Sequence, residues 1–592
     1  MDVAIGIGGA AGQGIATPGD ILARIFVRRG LHLNAYNAYQ SIVRGGHIFL
    51  TLRASDRPVA SMGDVLDMLI ALNQDTMDRH LKLMGAGSAV LFNSDKIQPG
   101  PTAPGVQLCA FSVKELAPGV RGDLVQNTIG LAAALNLLGV DFGTLEAILT
   151  LQFQRKGQAA VDENVSVARA GYEYAGAHFR AFDVTLPDTG RPLAFIDGNT
   201  ALAMGGAAAG VRFYCAYPMS PSTGVLHWMA RHARQLGIMV RQVEDELGVI
   251  NMAIGAAHTG CRVMCATSGG GFALMTEALG AAAMMEIPLV CINVQRAGPA
   301  TGVPTKTEQG DLWQALGAGQ GDYPRVIVAP TTIADCFKTV PLLFNVVDKL
   351  QCPGIVLSDL LISEGRSSVD PAELDFNVPI DRGDTLGVNG RMAAPASAYK
   401  RYDLTESGIS PRVVPGTPGY VHVVATDEHD DEGGLISDEY TNPAKRRAMH
   451  EKRMRKMEGV LPLIDPPRLF GEPTAAVTLV GWGSTQGVIR EAIEKLAAEG
   501  ISANNLQIKW LVPLHAVAIM EILAGSQKVI IVENNYSGQF ARYLRSETGF
   551  VADGHVRKYD GEPFMPHHIV DGVKTITAGT TTSYVPVHEI LV

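Results

Sequence analysis

Tyr217-Pro218-Met219-Ser220-Pro221-Ser222-Thr223, followed by Glu244-Asp245-Glu246-Leu247-Gly248, decides how this 592-residue chain is read. The first run closes a short apolar strand, 213–216, and opens a helix, 223–236. The second separates a strand, 239–243, from an apolar helix, 247–259. The alternation continues with a strand over 262–266, the glycines Gly269-Gly270-Gly271 opening a helix to 283, and a strand over 288–294. Continuously apolar strands alternating with helices predict a parallel sheet covered on both faces. Ligands of such sheets sit at the carboxyl ends of the strands, and this sequence places its chemistry there. Glu246, in a turn before an apolar helix, is either an exposed first-turn acid or a buried carboxyl with a function that justifies the cost of burial. Ser220 and Ser222 are either helix caps or site hydroxyls. Thr267-Ser268-Gly269-Gly270-Gly271-Phe272 lets a flat ring lie against bare backbone. Arg296 ends the next strand, ahead of the loop Gly298-Pro299-Ala300-Thr301-Gly302-Val303-Pro304-Thr305. An acid, an arginine and several hydroxyls at one sheet edge are hard to explain as packing.

Outward from this unit, taken as residues 193–375, the chain divides into three further parts. Residues 1–185 read as a separate α/β domain: strands over 2–8, 31–34, 47–52 and 89–93, helices over 18–29 and 124–138, Gly139 at a helix end, and a linker over 183–192. Residues 376–470 are irregular, with an acidic run at Asp427–Glu432 and a charged helix over 443–457. Such a charge run is ordinarily a solvated face, although a mixed-charge arm also suits clasping a partner. Residues 471–592 form a last α/β unit with strands over 475–481 and 528–533 and a helix over 489–499. The stretch after Tyr559 reads as a tail.

Bulk properties bound the function. The net charge is −10, hydrophobic residues make up 47% and charged residues 18%. With no dominant basic block, nucleic acid and anionic membrane surfaces are disfavoured as partners. No apolar run is long enough to span a membrane, and Met1–Ile5 reads as a strand instead of a leader. The seven cysteines lie in scattered apolar contexts without a Cys-x-x-Cys pair, which fits reduced thiols in a cytoplasmic protein and no resident cluster or zinc.

Two glycine turns stand out near the N-terminus. Gly6-Ile7-Gly8-Gly9-Ala10-Ala11-Gly12-Gln13-Gly14 sits between a strand and a helix. It is a tight structural turn, or it meets a phosphate-bearing ligand or a neighbouring domain. The following strand leads into Ala35-Tyr36-Asn37 without the acid that binds ribose hydroxyls, which disfavours a dinucleotide. Arg44-Gly45-Gly46 offers Arg44 to an anion or to an ion pair.

These motifs together resemble the 2-oxoacid:ferredoxin oxidoreductases. The 193–375 unit is similar to the family's thiamine-diphosphate pyrimidine-binding domain through the Tyr217–Thr223 run, Glu246-Leu247-Gly248, Thr267–Gly271 and Gln295-Arg296-Ala297-Gly298-Pro299-Ala300-Thr301-Gly302. The first unit resembles the gamma domain, and the last a transketolase-C-like domain through Gly481-Trp482-Gly483-Ser484 and Val532-Glu533-Asn534-Asn535. The gamma-then-alpha order is that of the fused alpha subunit of the 2-oxoglutarate branch. Met219-Ser220 replaces the Ile-Thr of many members, which keeps the hydroxyl and loses a methyl.

The resemblance implies roles. Glu246 hydrogen-bonds N1′ of the cofactor's aminopyrimidine, with Pro218, Ser222, Gly270, Gly271 and Phe272 forming its pocket. Arg296 and Ser220 hold the substrate carboxylate or carbonyl, and Thr301 helps read its far end. A Gly-Asp-Gly run before Asn534-Asn535 is missing, and Gly122-Asp123-Leu124 and Gly310-Asp311-Leu312 are poor substitutes. A beta subunit is therefore expected to supply the diphosphate site with Mg2+ and a [4Fe-4S] cluster, coenzyme A to accept the acyl group, ferredoxin to take the electrons, and two alpha–beta heterodimers to pair. The expected reaction is reversible oxidative decarboxylation of 2-oxoglutarate to succinyl-CoA and CO2. Rival readings are a pyruvate or branched-chain enzyme, a non-catalytic scaffold, and a dinucleotide enzyme.

Overall fold

The computed structural model of the chain describes residues 1–40, 45–120, 125–184, 186–386, 399–438 and 442–587. The calls on residues Arg44 and Gly122–Leu124 fall outside these. Among the described residues the chain builds three large sheets, each with helices against its faces.

The second sheet carries the strands of the central unit in the order 510–512, 326–328, 354–359, 290–295, 262–267, 211–216, 239–242. All run parallel except Trp510–Val512, which comes from the C-terminal unit and pairs antiparallel with Val326–Val328. Strands such as Arg262–Thr267 and Val290–Gln295 are buried along their whole length, as a parallel sheet covered on both faces requires. After Val211–Ala216 the chain passes through the Thr223–Leu236 helix to the edge strand Met239–Gln242. It then returns through the Glu246–His258 helix to Arg262–Thr267 on the other side of Val211–Ala216. This reversal of strand order opens a crevice at the carboxyl ends of Val211–Ala216 and Arg262–Thr267.

The first sheet is mixed. Asp2–Ala11 runs parallel to Leu66–Ala71 and antiparallel to Gly45–Ser55. Its far edge is closed by Arg366–Val369 and Ala194–Asp197 from the central unit, pairing beside His32–Ala38. The glycine run is not a loop as the sequence suggested, because the first strand extends to Ala11. A Cβ on Gly6 would lie 2.5 Å from Phe49 Cζ, and one on Gly8 would run into Thr76; these glycines let neighbours pack flat on the strand. Only Gly12 and Gly14, at φ 93° and 73°, make the turn, and the helix starts at Ala16.

Two further expectations are corrected. The stretch after Tyr559 is not a tail. Pro566–Thr577 is a helix that buries Ile569, Val570, Val573 and Ile576 at helical spacing, and Ser583–Tyr584 adds a strand beside Gly554–Arg557. The charged helix, Pro443–Arg455, is not simply solvated. Lys452 and Lys456 are fully buried on the Glu286 carboxylate at 2.6 and 2.5 Å. Arg401 donates to the Glu286 and Met285 carbonyls, and Asp348 faces Arg262, Arg382 and Arg412. The charges clasp the connecting segment onto its own chain. Glu286 follows directly on the Gly269–Met284 helix, so the clasp fixes the far end of the helix whose first turn borders the crevice.

Candidate functional site

Asp245 begins the Glu246–His258 helix. Its extended backbone and a 2.7 Å hydrogen bond from Gly248 N to its carboxylate make it the cap, which leaves Glu246 as the first helical residue. Glu246 is buried, and among the described residues its Oε1 has no hydrogen-bond partner. A Cβ added to Gly271 would lie 2.5 Å from that oxygen, so only glycine admits the carboxyl against the first turn of the Gly269–Met284 helix. The buried alternative holds. The second turn of the crevice is fixed by Ser222, whose hydroxyl donates to Met219 O at 2.8 Å, and by Asn199, which donates to Pro221 O. Thr267 Oγ1 faces Met219 Sδ at 3.8 Å across the crevice.

Arg296, at the end of Val290–Gln295, donates through Nη1 to Ser220 O at 2.7 Å, and its Nε is buried without a partner among the described residues. Burial pulls its guanidinium down from the usual arginine value, and Asp311 opposes this. Glu246, Arg296, Pro218, Ser220 and Gly270 thus meet along one edge of one sheet, with Pro218, Ser220 and Gly270 exposed. Phe272 is wholly buried in the core beneath the crevice. Thr301 stands on the exposed outer part of the loop, whose base is closed by Val303 N to Ala297 O and Ala297 N to Lys306 O.

Sequence reasoning passed over the other end of this loop. Burial pushes the Asp311 carboxyl up to about 6, with Asn293 and Arg296 opposing, and Glu308 up to about 7, where the Gly298 N–H opposes and Asp311 adds to the rise. The C-terminal unit clamps this stretch. Gln309 donates to Asn534 O and Trp482 O, Asn534 N donates back to Gln309 Oε1, and Gln539 Nε2 donates to Gly310 O. Lys306 pairs with Glu562. No pattern marked Gln309, because its partners lie more than 170 residues away.

A cavity of about 460 Å3 lies where the first unit, the loop and the C-terminal unit meet, lined by Tyr36, Tyr39, His47, His80, Lys306 and Glu562 among others. His47 and His80 face each other at 2.8 Å, and burial pushes His80 down to about 3.

The crevice fits a flat heteroaromatic ring. Glu246 Oε1, buried without a donor among the described residues, stands against Gly271; at the neighbouring Gly270 a Cβ would meet nothing within 4 Å, and the nearby Ser268 hydroxyl is also buried and unpaired among the described residues. The parallel sheet and its strand-order reversal are those of an α/β protein that takes its ligand at the sheet edge. Residues 204–444 match the family described as pyruvate flavodoxin/ferredoxin oxidoreductase, thiamine diphosphate-binding. Residues 4–174 match pyruvate ferredoxin/flavodoxin oxidoreductase, and residues 471–547 the transketolase C-terminal domain. The chain belongs to the alpha subunits of the 2-oxoacid:ferredoxin oxidoreductases. It is 31% identical to 2-oxoacid:ferredoxin oxidoreductase 2, subunit alpha, of Aeropyrum pernix, over 97% of this chain and 98% of that one. It is 30% identical to 2-oxoglutarate oxidoreductase subunit KorA of Mycobacterium tuberculosis, over 98% and 92%. The structure of 2-oxoglutarate:ferredoxin oxidoreductase from Magnetococcus marinus, with 2-oxoglutarate, coenzyme A and succinyl-CoA bound, superposes with a TM-score of 0.90 at 32% identity, covering 97% of this chain and 99% of that one. Among the described residues no helix is long and apolar enough to cross a membrane.

Proposed function

We propose that this chain is the alpha subunit of a 2-oxoglutarate:ferredoxin oxidoreductase that works only with a beta subunit. The observation that carries this reading is the buried Glu246 Oε1, without a hydrogen-bond partner among the described residues, against Gly271, with Arg296 on the same sheet edge. Thiamine diphosphate, held by the crevice on its pyrimidine side, would supply the electron sink for decarboxylation. Glu246 would hold or give up a proton at a ring nitrogen of that cofactor. Arg296 offers its planar fork to the C1 carboxylate of the 2-oxoacid, while its bond to Ser220 O ties that fork to the Tyr217–Thr223 turn. Ser220 stands exposed at the same place to donate to the substrate, and Thr301 to reach its far end.

The beta subunit, carrying diphosphate, Mg2+ and [4Fe-4S] sites, covers the crevice end of the sheet, where the Tyr217 and Leu247 side chains that flank the two site turns are exposed. Two such heterodimers pair. Electrons leave to ferredoxin, and coenzyme A approaches from the cavity beside Lys306, whose rim includes Arg79 and Lys82. The relatives named for 2-oxoglutarate favour that substrate; the broader 2-oxoacid name of another keeps pyruvate and branched-chain acids in the test.

The test is anaerobic co-expression with the beta subunit, followed by coenzyme-A-dependent viologen reduction. Reduction with 2-oxoglutarate, seen only with both subunits, is the expected result. Activity with pyruvate alone would overturn the substrate, and none with any 2-oxoacid in a thiamine- and cluster-loaded complex would overturn the reading. In the same assay Arg296→Ala is expected to raise the KM for the 2-oxoacid roughly 10- to 100-fold, the range of a hydrogen bond to a charged group, with thiamine diphosphate affinity unchanged. An unaltered KM would remove Arg296 from substrate binding.

A further inference from the structure

We propose that Asp311 is a positioning residue that sets how firmly Arg296 holds the substrate carboxylate, through a proton it gains or loses at the edge of the crevice. This rests on the reading of Arg296 given above.

An aspartate immediately before a helix ordinarily caps it. Asp311 precedes the Leu312–Gly317 helix, yet its side chain makes no capping bond there. The carboxylate turns back toward the sheet, where Asn293 Nδ2 donates to Oδ2 at 3.2 Å. A Cβ on Gly269 would lie 2.5 Å from the same oxygen. Asp311 therefore fills the space left by Gly269, as Glu246 fills the space left by Gly271, and the two acids flank one glycine turn. Asn293 is wholly buried. Asp311 N donates to Gln295 Oε1 at 3.0 Å, and Gly310 O is held by Gln539 of the C-terminal unit. Strand, loop and C-terminal unit all fix this carboxyl, although it is not spent on a cap.

The charged groups acting on it are few. Arg296 directly follows Gln295, whose side chain accepts from Asp311 N, and its charge acts on the carboxyl through space; Glu308 acts from the same loop as Asp311. Glu246 lies on the same glycine turn, at Gly271; the turn Gly269–Phe272 itself, Asn293 and Gln295 bring no charge. Ionised, Asp311 offsets the Arg296 charge and repels an incoming carboxylate; protonated, it leaves the guanidinium to the substrate. Burial moves its titration up to about 6, within the range where the assembled enzyme can be assayed.

The sign follows. Substrate binding is tightest below about pH 6 and weakens as Asp311 loses its proton. For a pair of charges within about 10 Å at an effective dielectric constant of about 20, the change is expected to be at least about tenfold in KM. The experiment measures KM and kcat for the 2-oxoacid in the assembled complex from pH 5.5 to 8, for wild type, Asp311→Asn, Asp311→Glu and Glu308→Gln. Wild type is expected to show the rise in KM, and Asp311→Asn to keep the low-pH KM throughout, the change falling on KM and not kcat. Asp311→Glu should retain a rise, which separates charge from disrupted folding, and Glu308→Gln should leave it in place. A wild-type rise that persists in Asp311→Asn, or that vanishes in Glu308→Gln instead, would overturn the inference alone. No turnover of any 2-oxoacid by wild type would overturn the functional reading and this inference with it.

Discussion

Glu246→Gln, introduced into the complete alpha–beta complex, is expected to leave assembly intact and to lower turnover roughly 10²- to 10⁴-fold, the range contributed by a positioned proton-transfer group. The amide is nearly the same size as the carboxyl and enters the same slot against Gly271, so packing changes little. It retains an oxygen acceptor but cannot exchange a proton with the group it faces. Saturating 2-oxoacid and thiamine diphosphate remove binding from the comparison, and circular dichroism of the bound cofactor checks its loading. Turnover within threefold of wild type, with the cofactor loaded, would take Glu246 out of the mechanism.

The second large effect is on stability. Glu286 is a single carboxylate buried with Lys452 and Lys456, and Arg401 lies on its backbone carbonyl. Burial alone would raise the Glu286 carboxyl, but Lys456, Lys452 and Arg401 hold it well below the usual carboxylate range. Burial in turn pushes Lys452 down to about 7 against the pull of Glu286: one anion serves three cations, so the last proton of the cluster is weakly held. Glu286→Gln leaves two buried ammonium groups without a counter-charge. Breaking a buried pair from one side costs about 3–5 kcal/mol, an apparent melting temperature lower by about 2–4 °C in a chain of this size. Adding Lys452→Met and Lys456→Met to Glu286→Gln should recover most of the loss, because removing every charge removes the penalty. A Glu286→Gln protein melting within a degree of wild type would show that the cluster does not hold the helix end. The pH dependence has one sign for both groups. The Glu286 contribution is present above the ordinary glutamate value and is lost on acidification. Lys452, with a folded value below its unfolded one, favours unfolding increasingly as pH falls from about 10.5 toward 7. Both lower stability toward acid.

The parts of the fold legible in the sequence were those governed by local periodicity. The Thr223–Leu236 helix has the bounds its pattern predicts, and the apolar strands of the central sheet begin and end within two residues of their expected places. Glu246 was legible as an acid out of place before an apolar helix, and Arg296 as a charge ending a buried strand. What stayed hidden depends on distant partners. Lys452 and Lys456 look solvated until Glu286, more than 160 residues away, is placed between them. Asp311 resembles an ordinary cap until Gly269 and Asn293 surround it. The Pro566–Thr577 helix is the exception: the apolar spacing of Ile569, Val570, Val573 and Ile576 is a local signal, and a tail over the whole stretch after Tyr559 contradicts it.

The closure of the first sheet by Arg366–Val369 and Ala194–Asp197 bears on how such a chain can be divided. Severed near residue 185, the N-terminal unit would present His32–Ala38 as a bare seam of backbone donors and acceptors, the kind of edge that recruits foreign strands. In the single chain the cover for that seam comes from the same molecule.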